Sequence, residues 1–140
     1  NVIGHDDPHG PLIPDILTPL KNGNTTVRLG NLTPRRDYTH ADDTAAAITA
    51  LTSHMQTNPV ETYNIGSGQN HSVTDLVQAI GDYLGRPLTI TQDPARMRPI
   101  DRLHLLADTR KIRHATNWQP QHNFQTALHK ILDQLIPATA

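Results

Sequence analysis

The chain has 140 residues, enough for one domain with a single hydrophobic core. Its 12 basic and 13 acidic residues nearly cancel and form no block of like charge. This argues against a nucleic-acid-binding protein, which needs a basic face. The absence of cysteine excludes disulfides and thiolate metal sites. No apolar stretch reaches the length of a membrane span and the first residues lack the layout of a signal peptide, so we expect a cytoplasmic protein with no membrane partner.

Strands and helices alternate along the chain, which predicts an α/β fold. Runs of β-branched residues indicate strands, and apolar residues at helical spacing indicate helices. In the first half we expect strands at 1–3, 25–29 and 61–65, helices at 12–20 and 43–56, and an extended segment at 36–40. In the second half we expect a helix at 73–84, a strand at 88–91, a short helix that ends near residue 116, and a last helix at 124–135.

The first two helices carry mixed signals. Pro14 and Pro19 would shorten or kink the first helix, because proline removes a backbone donor. Asp42 or Asp43 can cap the start of the second helix. The residues predicted to form its inward face are Ala45, Ile48, Leu51 and Met55.

The third and last helices have the clearest amphipathic patterns. Ser72 and Asp75 form a plausible capping box, Asp108 can cap the short fourth helix, and Asn123 can cap the last helix. The inward residues predicted for the third helix are Val73, Leu76, Val77, Ile80 and Leu84. Those predicted for the last helix are Phe124, Leu128, Ile131, Leu132 and Leu135.

Three other patterns could suggest a functional site. Gly-Ser-Gly at 66–68 follows a predicted strand, but His71 stands where a dinucleotide-binding loop needs its third glycine, so we predict a tight turn. The His and Asp clusters at 5–9 and 40–43 lie in loops or at a helix start, where Asp caps and His is solvated, so we expect no zinc site. Trp118 is predicted to lie in the core rather than to stack on a base.

Two arginine-rich turns carry the main chemical signal. They are Leu-Gly-Asn-Leu-Thr-Pro-Arg-Arg-Asp-Tyr at 29–38 and Arg-Met-Arg-Pro-Ile-Asp at 96–101. Guanidinium groups bind phosphate bidentately, and a carboxylate accepts hydrogen bonds from ribose or sugar hydroxyls. Pro99 disfavours a helical conformation at Arg98 and holds that arginine on an extended turn. The two turns therefore suit a diphosphate flanked by hydroxyls, and ordinary surface salt bridges are the alternative.

A series of short motifs extends along nearly the whole chain. They are Asn-Val-Ile-Gly at 1–4, Leu-Gly-Asn-Leu at 29–32, Arg-Arg-Asp-Tyr at 35–38, Asp-Asp at 42–43, Tyr-Asn-Ile-Gly-Ser-Gly at 63–68, Arg-Pro-Ile-Asp at 98–101, Ala-Asp-Thr at 107–109 and Asn-Trp at 117–118. In this order they resemble the C-terminal half of extended short-chain dehydrogenase/reductases that act on nucleotide sugars. Within that family the chain is most similar to the GDP-mannose 4,6-dehydratase and GDP-4-keto-6-deoxymannose reductase branch. His5 replaces the usual proline and Asn117 the usual glycine.

The resemblance implies a fold and a division of the chain. It implies the C-terminal part of an NAD(P)-binding Rossmann-type α/β protein, which contains the substrate-binding lobe and the last strands of the parallel sheet. Residues 1–4 and 42–66 would complete the sheet of the cofactor domain. Residues 10–40 and 67–140 would form the substrate lobe.

The resemblance also implies a set of substrate-binding residues. Asn1 and Arg36 would approach the diphosphate, and Arg98 would hold it from the opposite side. Asp101 would accept a hydrogen bond from a ribose hydroxyl, and Asn31 would face the base.

The reaction implied for this family is hydride transfer at C4 of the sugar, with NAD or NADP bound by an N-terminal half. The catalytic Tyr and Lys would precede residue 1, so the chain alone is expected to be inactive and to bind no cofactor. The implied partners are a nucleotide sugar, with GDP-hexose favoured, the cofactor half on the same or a separate chain, and a second copy in a homo-oligomer. Dehydratase, reductase and epimerase remain open. Two other classes are also open: a stand-alone binding module, and a fragment that completes another polypeptide's sheet.

Overall fold

The computed structural model describes residues 1–5, 12–54 and 60–136. Its helices are α1 (Leu12–Lys21), α2 (Ala41–Thr52), α3 (Val73–Tyr83), α4 (Arg110–Thr116) and α5 (Phe124–Leu135). Its strands are β1 (Val2–Ile3), β2 (Thr26–Leu29), β3 (Arg35–Arg36), β4 (Thr39–His40), β5 (His71–Ser72), β6 (Thr89–Gln92) and β7 (His104–Leu105). The α/β expectation is confirmed. None of the helices in these segments is long and apolar enough to cross a membrane.

The strands form three small sheets in the described part of the chain. β1 pairs with β4 and β2 pairs with β6, both in parallel. β3 lies between antiparallel β5 and parallel β7. Leu29 lies opposite Gln92, so β2 and β6 end at the same edge. Because parallel strands that end together deliver their following loops to one place, the residues after 29 and after 92 meet there.

The main core lies between α1, α3, α5 and the β2–β6 pair. Its fully buried side chains are Ile16, Val27, Leu76, Val77, Ile80, Leu128, Ile131 and Leu132. A smaller cluster joins α2 to α4 and contains Ala47, Ile112 and Trp118. Trp118 is 7% exposed, which confirms its predicted place in the core.

Most of the local helix signals are confirmed. Ser72 Oγ accepts a hydrogen bond from Asp75 N at 3.0 Å, and an Asp75 oxygen accepts one from Ser72 N at 2.9 Å, which forms the predicted capping box. Asn123 caps α5 by accepting from the backbone N of Thr126. Asp108 lies one residue before the N-cap position of α4, which Thr109 occupies, and accepts from Arg110 N. The inward faces of α3 and α5 are the predicted ones, with Leu84 and Leu135 partly buried. α1 continues through Pro19 to Lys21 rather than ending early.

The predicted start and inward face of α2 are wrong. His40, rather than Asp42 or Asp43, is the N-cap residue, and its Nδ1 accepts from Asp42 N at 3.1 Å. The buried residues of α2 are Asp43 and Ala47, whereas Ala45 is exposed and Ile48 is 53% exposed. Leu51 is partly buried. The helix is turned this way because its neighbours are Ile112 and Trp118 of the smaller cluster and the backbone before α5. Met55 and residues 6–9 of the first histidine cluster lie outside the described residues.

The predicted strand at 61–65 is also wrong, because the described structure contains no strand between β4 and β5. This segment is tied to α4 by side chains instead of by a backbone ladder. Lys111 Nζ donates to Thr62 O at 2.8 Å, and Asn64 Nδ2 donates to Asp108 O at 3.4 Å. That residues 42–66 help to complete a cofactor-domain sheet therefore stays a prediction. The division of the chain into a sheet-completing part and a substrate lobe also stays a prediction. Thr39 and His40, which were predicted to belong to the substrate lobe, pair with residues 2 and 3.

The carboxylate of Asp37 is buried at 4% exposure and holds several segments together. Its Oδ1 accepts hydrogen bonds from the backbone N (2.8 Å) and Oγ (2.6 Å) of Ser67 and from Thr39 Oγ1 (3.1 Å). Its Oδ2 accepts from Gly68 N at 3.1 Å and Ala107 N at 3.3 Å. A Cβ at Gly66 would lie 2.5 Å from this oxygen, so only glycine allows the close approach. The Gly-Ser-Gly segment is therefore a tight turn around a carboxylate, as predicted, and the N–H groups of Ser67 and Gly68 are already used.

The pKa of Asp37 reflects these contacts. Burial raises it, but the hydrogen bonds from the Ser67 side chain and the three backbone N–H groups outweigh burial and lower the pKa below 3.8. A lowered folded-state pKa stabilises the fold above the unfolded-state value, and this stability is lost as the pH falls through the folded-state value.

We predict that Asp37→Asn lowers the free energy of unfolding near neutral pH by about 1.5–3 kcal/mol, the range for hydrogen bonds to a charged group. The difference from the parent should shrink below pH 3.8, as the parent carboxylate is protonated. Denaturant unfolding of the intact protein at several pH values measures this. Asp133→Asn is the control, since that exposed carboxylate makes one hydrogen bond to the described residues, with Tyr83. A variant as stable as the parent would contradict the anchoring role of Asp37.

Candidate functional site

A cavity of about 400 Å³ opens beside the ends of β2 and β6. Its wall includes all five residues that the resemblance assigned to nucleotide-sugar binding, which are Asn1, Asn31, Arg36, Arg98 and Asp101. The individual roles given to them remain predictions. What the structure adds is that residues from three distant segments of the chain surround one space.

The parallel pairing of β2 with β6 brings the two arginine-rich turns together. Gly30 and the backbone at Arg96 are in close contact, since a Cβ at Gly30 would lie 2.2 Å from Arg96 O. Asp93 N donates to Leu29 O at 2.7 Å, and the Gln92 side chain donates to Gly30 O at 3.2 Å. These contacts join the two turns, which are well separated in the sequence, into a single wall of the cavity.

Arg36 is largely engaged within the protein. One of its terminal nitrogens donates to a carboxylate oxygen of Asp101, and the other donates to Arg102 O at 2.7 Å and Arg35 O at 3.0 Å. Its side chain is 14% exposed. Asn31 Nδ2 reaches the second oxygen of Asp101 at 3.3 Å and Arg98 O at 3.2 Å. Arg36 and Asn31 together therefore position the backbone and the carboxylate of the 98–102 turn.

Arg98 has the opposite character. It is exposed, it lines the cavity, and its guanidinium makes no hydrogen bond or ion pair with the described part of the chain. Arg96, which also lines the cavity, is 3.3 Å from a carboxylate oxygen of Asp15 on α1. Among the arginines of this wall, Arg98 is thus the one whose guanidinium contacts no group of the described residues, which leaves all its donors available to an anion. No sequence pattern predicted that Asp15 would lie in the cavity wall and pair with Arg96.

Tyr38 is a further residue of the cavity that sequence reasoning did not assign to the site. Its side chain is 3% exposed, and its hydroxyl oxygen is buried without a hydrogen-bond partner among the described residues. Burial raises the pKa of Tyr38 to about 12, so the hydroxyl stays protonated at neutral pH and can donate. The ring packs against Phe124 of α5, with 5.8 Å between ring centroids. The sequence signal that could have placed Tyr38 in the site was its position at the end of the arginine-rich 29–38 segment.

The charges around the cavity define what it can bind. Three arginines and two aspartates line it, and both asparagines add neutral donors and acceptors. Guanidinium groups provide charge-assisted hydrogen bonds to phosphate oxygens, and the Asp101 carboxylate can accept from a hydroxyl. The arrangement therefore suits a ligand that combines negative charge with hydroxyl groups.

Solved structures identify the fold. The structure of RMD from Pseudomonas aeruginosa complexed with NADPH matches with a TM-score of 0.82 and 25% identity, over 95% of this chain and 45% of that chain. The structural neighbours are extended short-chain dehydrogenase/reductases, so the described elements form part of a Rossmann-type fold of that class.

Sequence comparison identifies the family. The family described as GDP-mannose 4,6 dehydratase matches residues 7–131, and the chain belongs to this family. A GDP-6-deoxy-D-mannose reductase from Pseudomonas aeruginosa is 30% identical over 115 residues, which are 81% of this chain and 37% of that protein. A UDP-glucose 4-epimerase from Lactobacillus helveticus is 30% identical over 129 residues, 86% of this chain and 38% of that protein. The chain thus spans less than half the length of these relatives.

We predict that Tyr38→Phe does not destabilise the ligand-free protein and raises its free energy of unfolding by up to about 1 kcal/mol. A buried hydroxyl without a partner carries a desolvation cost that phenylalanine does not have. Thermal and denaturant unfolding of the intact protein measure this. The control is Tyr83→Phe, which loses a 2.6 Å hydrogen bond to Asp133 and should lower stability slightly. A loss above 1 kcal/mol in Tyr38→Phe would show that the hydroxyl has a partner.

Proposed function

We propose that the chain is the nucleotide-sugar-binding portion of an NAD(P)-dependent sugar-nucleotide enzyme, and that the cavity between the two arginine turns holds the nucleoside diphosphate. One observation carries the proposal. The guanidinium of Arg98, which pairs with none of the described residues, shares a single cavity with an Arg36–Asp101 pair and with Asn31. A free fork-shaped donor beside an oriented carboxylate matches a diphosphate linked to a ribose.

Each residue has a part in the proposed complex. Arg98 binds the diphosphate from the outer side, where its donors are available. Asp101, held by Arg36 and Asn31, accepts a hydrogen bond from a ribose hydroxyl. Arg36 approaches the diphosphate from the inner side with the donor capacity that its internal contacts leave. Asn1 also approaches the diphosphate, and Asn31 faces the base.

The catalytic step is proposed for the complete enzyme, in which a cofactor-binding half supplies NAD or NADP and the catalytic acid/base. Hydride transfer at C4 of the sugar would take place there. The cavity described above would use binding energy from the remote nucleotide to position the hexose against the nicotinamide. The chain alone would then bind ligand without turning it over.

We favour GDP-hexose as the ligand. The matching family and the Pseudomonas aeruginosa relative both have GDP-sugar names. Because a relative named for a UDP-sugar is equally similar, binding of GDP and UDP is to be measured side by side. Tighter binding of GDP is expected, and equal or tighter binding of UDP would overturn the choice of base.

We predict that Arg98→Ala weakens GDP binding by about 1.5–3 kcal/mol, roughly 10- to 150-fold, without changing the melting temperature. Its guanidinium contacts no described protein group, so only ligand binding depends on it. Arg98→Lys should recover part of the loss, because an ammonium cannot form the bidentate contact. Titration calorimetry on the intact protein is the measurement.

Two further variants sharpen this test. Arg36→Ala should lower both GDP affinity and the melting temperature, since it also releases Asp101 and Arg102. Arg110→Ala is the matched control, because this exposed arginine pairs with Asp108 outside the cavity. Unchanged GDP affinity in Arg98→Ala would instead leave Arg98 as an ordinary surface residue.

We predict that Asp101→Asn reduces the preference of the protein for GDP over its dideoxy-ribose analogue. The carboxylate accepts hydrogen bonds on both oxygens, whereas an amide accepts on one only. Competition titration of both ligands against the variant and the parent gives the ratio. Asp82→Asn, at an exposed position on α3, should leave it unchanged. If Asp101→Asn keeps the parent's ratio, Asp101 only shapes the turn.

A further inference from the structure

We propose that His40, Asp42 and His122 form a binding site for a divalent transition-metal ion such as Zn²⁺, outside the nucleotide cavity. One ligand atom from each of these residues lies within 4.8 Å of those of the other two. The sequence cluster at 40–43 was not expected to bind zinc because its histidine was taken to be solvated. The structure overturns that premise, since His40 is 6% exposed and a second histidine joins it from the loop before α5.

The ligand types and their spacing fit such an ion. Imidazole nitrogen and carboxylate oxygen are zinc ligands, and three protein ligands leave a fourth position for water. His40 Nδ1 accepts the cap hydrogen bond from Asp42 N, so Nε2 is the nitrogen of that ring that remains for an ion. Two ligands of a tetrahedral zinc ion are about 3.3 Å apart, closer than the 4.8 Å within which the three ligand atoms lie here. The His40 and His122 rings are tilted by 32° to each other, with centroids 4.6 Å apart. A small inward shift of the two more exposed ligands would complete the site.

A second carboxylate orients one of the ligands. An oxygen of Asp43 lies 3.1 Å from His122 Nδ1, which leaves Nε2 of that ring for an ion. Asp43 is 2% exposed and is held in place by the backbone N–H groups of Gln121 and His122. A carboxylate on the outer nitrogen of a ligating histidine is the usual second partner in zinc sites. This contact is independent of the spacing of the three ligands.

The positively charged side chain of Lys130 already contacts this cluster. Lys130 Nζ on α5 donates to an oxygen of Asp42 at 2.6 Å. The lysine side chain is 43% exposed and can move into solvent, so a metal ion would replace its ammonium group. Removing the charge of Lys130 should therefore strengthen metal binding while every ligand is kept.

The experiment uses the intact protein without a histidine tag, freed of metal by a chelator. Zn²⁺ is titrated by calorimetry and Co²⁺ by visible absorption, which reports nitrogen and oxygen ligation of the ion. We expect one ion per chain, a higher melting temperature with Zn²⁺, and reversal by chelator. His122→Gln should weaken binding at least 10-fold, and Lys130→Gln should tighten it several-fold. His114→Gln, an exposed histidine on α4, is the matched control and should bind like the parent.

Two results would overturn the proposal. One is the absence of saturable binding of one ion per chain, or binding that His122→Gln and His114→Gln change equally. The other is a Lys130→Gln variant that folds like the parent and binds Zn²⁺ no more tightly. The second result decides the matter even if His122→Gln fails to fold, because Lys130→Gln keeps all three ligands, His40, Asp42 and His122.

Discussion

The buried carboxylate of Asp37 joins the 66–68 turn, the backbone at Ala107 and the start of β4. Its two neighbours depend on this anchor. Arg36 on one side reaches the 101–102 turn, and Tyr38 on the other side lies in the wall of the cavity. Because Asp37 fixes the backbone between Arg36 and Tyr38, it also determines where these two side chains lie. The geometry of the candidate site therefore depends on the hydrogen bonds that satisfy one buried carboxylate.

The two arginines that the motifs singled out have different tasks in the folded protein. Arg36 neutralises Asp101 and ties down backbone carbonyl groups, so its removal affects the fold as well as any ligand. Arg98 remains available to an incoming anion. The cavity can therefore hold clustered positive charge and remain stable without a ligand. Part of that charge, on Arg36, is already neutralised by the carboxylate of Asp101.

A similar balance of charge occurs at the other end of β4. Asp42 and Asp43 lie in the first turn of α2. Asp42 forms an ion pair with Lys130 of α5, and Asp43 contacts the ring of His122 in the loop before α5. The same contacts that connect α2 to α5 thereby gather imidazole and carboxylate groups into a small volume. A structural junction and a candidate metal site are built from the same side chains.

Signals that act within a few residues could be read from the sequence alone. They include the Ser72–Asp75 capping box, the Asn123 cap, the inward faces of α3 and α5, the strand at 26–29 and the order of motifs that identifies the family. Tertiary structure alone decided the inward face of α2, the missing strand at 61–65, the partner of Arg36 and the approach of His122 to His40. A helix with apolar residues on several sides turns whichever side its neighbours cover, and a strand needs a partner to pair with. Charged side chains find their partners only after distant segments have packed, so local patterns cannot specify these features.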